Sequence, residues 1–87
     1  MKETDSKTQL ENFLYNIAFL RKYYGYSKTK MSKILGIGTK TLSKIESGIL
    51  PPRLDAKVFL KTKIHFGISV NIMFLKRISE KDINTPI

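Results

Sequence analysis

The sequence has no cysteine and only one histidine, His65. Without thiols, neither a disulfide framework nor a thiolate metal site can form, and one imidazole cannot assemble a histidine-based metal site. His65 has no cysteine to activate, the acidic residues are scattered, and no glycine-rich phosphate loop follows a strand. We therefore expect no metal, no cofactor and no enzymatic activity.

Long hydrophobic runs are also missing. The longest uninterrupted apolar runs contain four residues, at 17–20 and 72–75, whereas a membrane-spanning helix needs about 20. Residues 1–5 do not resemble the start of a signal peptide,. These absences predict a cytoplasmic protein that does not associate with membranes.

The length of the chain leaves room for one domain. It has 87 residues, of which 41% are apolar and 26% charged, as in an ordinary globular domain. A chain of this size removes only about 60% of its unfolded surface from water when it folds, so its core is thin.

Negative charge is scarce and unevenly placed. Seven acidic residues stand against 16 basic ones, for a net charge of +9. Residues 21–63 hold eleven of the basic and two of the acidic residues, whereas charges of both signs balance in the flanking segments. This pattern is typical of a surface for a polyanion. Composition alone equally allows a lysine-rich chain with no such surface.

Helix signals divide the chain into five helices and indicate no strand. Thr8 and Glu11 form a capping-box pattern at the first start, and Pro51-Pro52, with Asp55 in the first turn, indicates the fourth,. At the starts of the other three helices, one apolar residue stands just before the cap and a second stands four residues after the cap. The predicted helices span 9–24, 28–35, 39–47, 52–65 and 70–78. The predicted class is therefore all-α, with an N-terminal arm at 1–8, one domain at 9–78 and a flexible tail at 79–87.

The two short central helices, 28–35 and 39–47, are joined by three residues and are too short to be stable alone,. Their spacing predicts a helix-turn-helix. Leu42 and Ile45 are the only large apolar residues of the second helix, so we expect them to face inward. The residues left on the outer surface are Thr39, Lys40, Ser43 and Lys44. Such a surface suits the major groove of DNA, although lysine and threonine are also common on solvated helices.

From about residue 13 to residue 74 the sequence resembles the Cro/repressor-type (XRE-like) helix-turn-helix domains of phage repressors and bacterial regulators. The matching segments are Leu20-Arg21, Gly25-Tyr26-Ser27, Met31-Ser32, Leu35-Gly36-Ile37, Thr41 to Gly48 and Phe66-Gly67-Ile68-Ser69. The resemblance implies a five-helix fold like that of the lambda repressor. The chain departs from the family pattern at Gly38, where a serine or threonine cap is common, and at Thr62-Lys63, where apolar residues are usual.

The resemblance also implies roles for individual residues. Thr39, Lys40 and Lys44 fall where members of the family read bases. The predicted contacts to the backbone or to neighbouring positions are Lys28, Thr41, Ser43 and Arg53. Solvated charges at helix ends remain the alternative for Lys28 and Arg53.

Arg21 and Glu46 correspond to an arginine and a glutamate that pair in this family. Glu46 is the only acidic residue of the predicted motif, and a carboxylate facing DNA phosphates would oppose binding. The resemblance therefore implies a structural ion pair, with two independent surface charges as the alternative.

The expected function is that of a transcriptional regulator, most simply a repressor that binds a palindromic operator in double-stranded DNA as a homodimer. Ile72, Leu75 and Ile78 recur at three-residue spacing and supply either a dimer contact or a core face. The alternative is an antitoxin, or a protein-interaction regulator that docks a partner protein through helix 5 and the tail.

Overall fold

The computed structural model describes residues 5–51 and 54–83. Over these residues the chain forms six helices and no strand, which confirms the predicted all-α class. The helices are α1 (Ser6–Tyr24), α2 (Lys28–Leu35), α3 (Thr39–Glu46), α4 (Ala56–Phe66), α5 (Val70–Leu75) and α6 (Glu80–Ile83). The short α6 lies in the segment that the sequence predicted to be a flexible tail.

The first helix begins earlier than predicted. Asp5 is its N-cap, and the Asp5 Oδ1 atom accepts a hydrogen bond of 2.8 Å from the backbone N–H of Thr8. This bond is the main reason that the pKa of Asp5 lies below its usual value,. The predicted cap at Thr8 is therefore wrong, and residues 6–8 belong to α1 instead of an arm.

A tight turn joins α2 to α3. Gly36 ends α2 in the left-handed conformation, with φ of 74°, and the backbone N–H of Ile37 reaches back to the carbonyl of Ser32. This is the Schellman arrangement, which glycine adopts without steric cost. Gly38 then caps α3 without a side-chain hydrogen bond.

The core lies where α1 crosses the other helices. Phe13, Ile17 and Leu20 of α1 are completely buried. The ring of Phe13 contacts the ring of Phe59 edge-on and stacks on Phe74, at centroid distances of 4.8 and 5.1 Å. The other buried apolar side chains include Met31, Leu35, Leu42, Ile45, Val58 and Met73. Each of the helices α1 to α5 thus contributes side chains to one core.

Two asparagines join α1 to the C-terminal part of the chain. The buried Asn16 Nδ2 group donates to the carbonyls of Met73 and Lys76, at 2.8 and 2.9 Å, and its Oδ1 atom accepts from the N–H of Ile78. Asn12 Nδ2 donates to the carbonyl of Phe74. One side chain of α1 therefore satisfies three backbone groups at the end of α5 and beyond it, in place of the bonds that a longer helix would make.

Consequently α5 ends at Leu75, earlier than the predicted residue 78. Ile78 is buried in the core, whereas Ile72 and Leu75 are exposed, so the predicted three-residue stripe does not form one face. Ser79 stands just before α6, and the carboxylate of Asp82 in α6 accepts a hydrogen bond of 2.8 Å from the Ser79 N–H. Such a contact is typical of a helix start.

The fourth helix begins later than predicted. Asp55 is the N-cap of α4, and its Oδ1 atom accepts from the backbone N–H of Lys57. The predicted start at residue 52, with Asp55 inside the first turn, is therefore wrong. Thr62 is buried on the inner face of α4, where its hydroxyl donates to the carbonyl of Val58. That bond is how α4 accommodates a threonine at an otherwise apolar position.

Candidate nucleic-acid interface

The third helix presents one apolar and one polar face. Leu42 and Ile45 are buried, as the sequence predicts. Thr39, Lys40 and Lys44 are exposed on the opposite side, and Thr41 and Ser43 are half-buried beside them. The predicted base-reading residues therefore share the solvent-facing surface of one helix.

Lys28 extends this surface onto α2. It is the first residue of α2, and its Nζ atom donates a hydrogen bond of 3.2 Å to the Ser43 hydroxyl of α3. The N-terminus of α2 and the outer surface of α3 thus meet at a contact between two predicted site residues. We call the surface formed by Lys28, Thr39, Lys40, Ser43 and Lys44 the α2–α3 face.

The first turns of α2 and α3 contain lysines and no acidic residue. Lys28 and Lys30 lie in the first turn of α2, and Lys40 lies in that of α3. Because the helix dipole favours anions at an N-terminus, these cations cost stability when the protein is free. An anion bound at the two N-termini would offset the unfavourable lysine charges of α2 and of α3 at the same time.

Glu46 is turned away from this surface by an ion pair. Its two carboxylate oxygens accept hydrogen bonds of 2.5 and 2.9 Å from Nε and Nη2 of Arg21. The side chains of Arg21 and Glu46 are only 18% and 11% exposed. The bonds to Glu46 are the main reason that the pKa of Arg21 is raised above its usual value, so Arg21 stays charged.

A second cluster surrounds Tyr26, in the loop between α1 and α2. The ammonium of Lys30 lies 4.6 Å from the centre of the Tyr26 ring, and the Tyr26 hydroxyl is 3.2 Å from Nε2 of His65. The ring of His65 also contacts Phe66 edge-on. His65 therefore joins the end of α4 to this loop, a role that the sequence did not indicate.

The remaining predicted site residue is Arg53, which lies outside the described residues. Within 5–51 and 54–83, no group of three or more histidine, cysteine, aspartate or glutamate side chains could hold a metal ion. Over the same part of the chain, no helix has both the length and the apolar character needed to cross a membrane.

A cleft of about 590 Å³ lies between α1, the end of α3 and Arg77. Its charged lining residues are Glu11, Lys22, Glu46 and Arg77, two of each sign. Arg77 stacks over the ring of Tyr15, at 4.6 Å from the ring centre. The balanced charges favour no single class of ligand in this cleft.

Comparison with known proteins finds no relative of this chain. No protein-family model, no curated protein and no solved structure matches the chain. The α2–α3 face and the charges around it are therefore the features of the chain that bear on its function.

Proposed function

We propose that this chain is a sequence-specific DNA-binding regulator of transcription, in which α2 and α3 form a helix-turn-helix of the Cro/repressor type. The observation that carries the proposal is the division of charge on α3. Lys40 and Lys44 are exposed, whereas the only acidic residue of α2 and α3, Glu46, is held by Arg21. A helix that exposes its cations and withdraws its acid is suited to a polyanion.

In this proposal α3 is the recognition helix. Its short hydroxyl and lysine side chains, Thr39, Lys40 and Lys44, reach base edges in the major groove, where lysine donates to guanine acceptors. Lys28 and Ser43, which already contact one another at 3.2 Å, contact a phosphate of the DNA backbone. Thr41 lies beside them and has the same role. Phosphate contacts set the register of α3, and base contacts provide specificity.

We further propose that the protein acts as a dimer on a palindromic operator. One module of this size buries too little DNA surface to discriminate strongly among genomic sites. Two copies related by a two-fold axis read half-sites about 34 Å apart. Leu75 and Ile72, exposed on α5, are available for the dimer contact. Occupation of a promoter by such a dimer would repress transcription.

Selection of binding sites from random duplex DNA tests the proposal. We expect a palindromic consensus whose half-sites are separated by one helical turn. The variants Lys40→Ala and Lys44→Ala should each relax the preference at one position of every half-site. Lys81→Ala, which removes an exposed lysine from α6, is the matched control and should leave the consensus unchanged. Recovery of random sequences by the unmodified chain would contradict the proposal.

A further inference from the structure

The fourth helix carries an apolar ridge on its solvent side. Leu60 and Ile64 are 57% and 72% exposed. They lie four residues apart and are therefore adjacent on the helix surface. Val58 and Thr62, on the opposite side of α4, are buried in the core. The ridge formed by Leu60 and Ile64 is not needed for the packing of α4.

Lysines flank this ridge. Lys57 and Lys61 lie on one side of Leu60 and Ile64, and Lys63 lies on the other, by the periodicity of the helix,. Residues 56–66 contain no acidic side chain. Among the residues that the structure describes, no acidic side chain forms an ion pair with Lys57 or Lys63. The ridge is therefore an apolar strip with a positive border.

Lys61 differs from the other two lysines. Its Nζ atom lies 2.6 Å from the position that a Cβ atom on Gly36 would occupy. The Lys61 side chain therefore lies against the last turn of α2, where a cation is favoured by the helix dipole. Lys57 and Lys63 are left as the cations that can meet an approaching partner.

The positive charge beside the ridge restricts which partners can bind it. A second copy of α4 would bring lysine against lysine, and like charges disfavour that pairing. A lipid surface is bound by a broad apolar face, whereas only two large apolar side chains of α4 are exposed,. DNA phosphates gain nothing from an apolar strip. A protein segment with carboxylates on either side of apolar residues satisfies both parts of the surface.

We propose that the ridge of Leu60 and Ile64, with Lys57 and Lys63 at its border, docks an acidic amphipathic helix of a partner protein. The two apolar side chains are the anchors, spaced to meet apolar residues one helical turn apart on the partner. The ridge shares no residue with the α2–α3 face, so docking does not depend on the proposed DNA binding.

A synthetic helical peptide with two leucines four residues apart and glutamates on both flanks is the probe. Its binding to the full chain is followed by two-dimensional ¹H–¹⁵N NMR. We expect shifted signals across residues 56–66. Ile64→Ser and Leu60→Ser should each weaken binding roughly tenfold. Lys63→Gln should weaken binding less, and should reduce its dependence on salt. Because Leu60 and Ile64 are exposed, the melting temperatures of these variants should change little.

Matched controls separate this ridge from other apolar and basic surfaces. Ile49→Ser removes an apolar side chain after α3 with 55% exposure, similar to that of Leu60, and should leave the affinity for the peptide unchanged. A peptide with serine in place of leucine should not bind, which shows that charge alone is insufficient. DNA binding of Ile64→Ser should equal that of the unmodified chain.

Three results would overturn the docking proposal. Peptide signals that map to α3 and disappear in Lys40→Ala would show binding to the basic α2–α3 face instead. Binding to vesicles of anionic phospholipid that Ile64→Ser abolishes would assign the ridge to a lipid surface. A dimer that Ile64→Ser converts to monomer would assign it to a second copy of the chain.

Discussion

The guanidinium of Arg21 holds the carboxylate of Glu46 with two hydrogen bonds and donates a third to the carbonyl of Tyr26. Arg21 lies on α1, Tyr26 lies in the loop after it, and Glu46 is the last residue of α3. One side chain therefore fixes the end of α3 relative to α1 and to the start of α2. The orientation of the α2–α3 face depends on this pair.

Replacing Glu46 with alanine should destabilise the fold. The variant leaves Arg21 with one carbonyl and no carboxylate partner. Because the pair is partly buried, we expect a loss of about 2–3 kcal/mol, between the values for exposed and fully buried pairs. Thermal unfolding followed by circular dichroism measures it. Glu11→Ala, which removes an exposed acid of α1, is the control and should change stability by less than about 0.5 kcal/mol.

The same Glu46→Ala variant tests the proposed interface. If α3 reads DNA, a loosened α3 should bind operator DNA more weakly even though an acid has been removed. Unchanged melting together with tighter DNA binding would show that the ion pair does not support the fold in solution.

Asn16→Ala should be more damaging than Asn12→Ala. The first variant leaves the carbonyls of Met73 and Lys76 and the N–H of Ile78 without their partner. The expected cost is about 3 kcal/mol or more, because each buried group that loses its partner costs about 1–3 kcal/mol. Asn12 donates one bond, to Phe74, so its loss should cost about 1 kcal/mol. Urea unfolding of both variants gives the comparison, and equal midpoints would contradict it.

Lysines at the two ends of the α2–α3 face should affect DNA binding differently. Lys40→Ala and Lys44→Ala should reduce specific affinity by about 1–3 kcal/mol and leave non-specific binding nearly unchanged, if they read bases. Lys28→Ala should weaken binding to every sequence and lower the logarithmic salt slope by about one per half-site. Titrations of operator and unrelated duplexes at several salt concentrations distinguish the two effects. An unchanged salt slope would place Lys28 outside the interface.

Asp82 should titrate at lower pH than an ordinary aspartate. The hydrogen bond from Lys76 is the largest of the causes that hold the pKa of Asp82 below its usual value of 3.8. Since the folded pKa is the lower one, the contact stabilises the fold above pH 3.8 and loses its effect as the pH falls through the folded value,. NMR titration of the carboxyl carbon measures the midpoint. Lys76→Met should move it upward, and a midpoint that does not move would contradict the assigned cause.

Local signals predicted the central helices well. The predicted second helix, 28–35, coincides with α2 because Ser27 caps it and Gly36 ends it, and both signals are contained within a few residues. The predicted start of α1 was wrong. The capping-box pattern of Thr8 and Glu11 placed the cap at Thr8, and Asp5, which is also a good N-cap residue, lies outside that pattern. The inward orientation of Leu42 and Ile45 followed from their spacing.

Contacts between distant residues could not be predicted in this way. Asn16 meets its partners across 57 to 62 positions of the chain, and the sequence around a single asparagine does not indicate which distant backbone groups it binds. The early end of α5 follows from those bonds and was missed with them. The exposure of Leu60 and Ile64 was also not predicted, because a helical pattern does not say which apolar residues the neighbouring helices leave uncovered.

The bonds of Asn16 also have a consequence for synthesis of the chain on the ribosome. While residues 73–78 are still inside the exit tunnel, Asn16 has no backbone groups to bind, and the side of α1 that α5 covers is open. Helices α2 and α3, which together contain five lysines, emerge before that point. The nascent chain therefore exposes the lysines of α2 and α3 before its core is closed, and closure must wait until Ile78 has emerged.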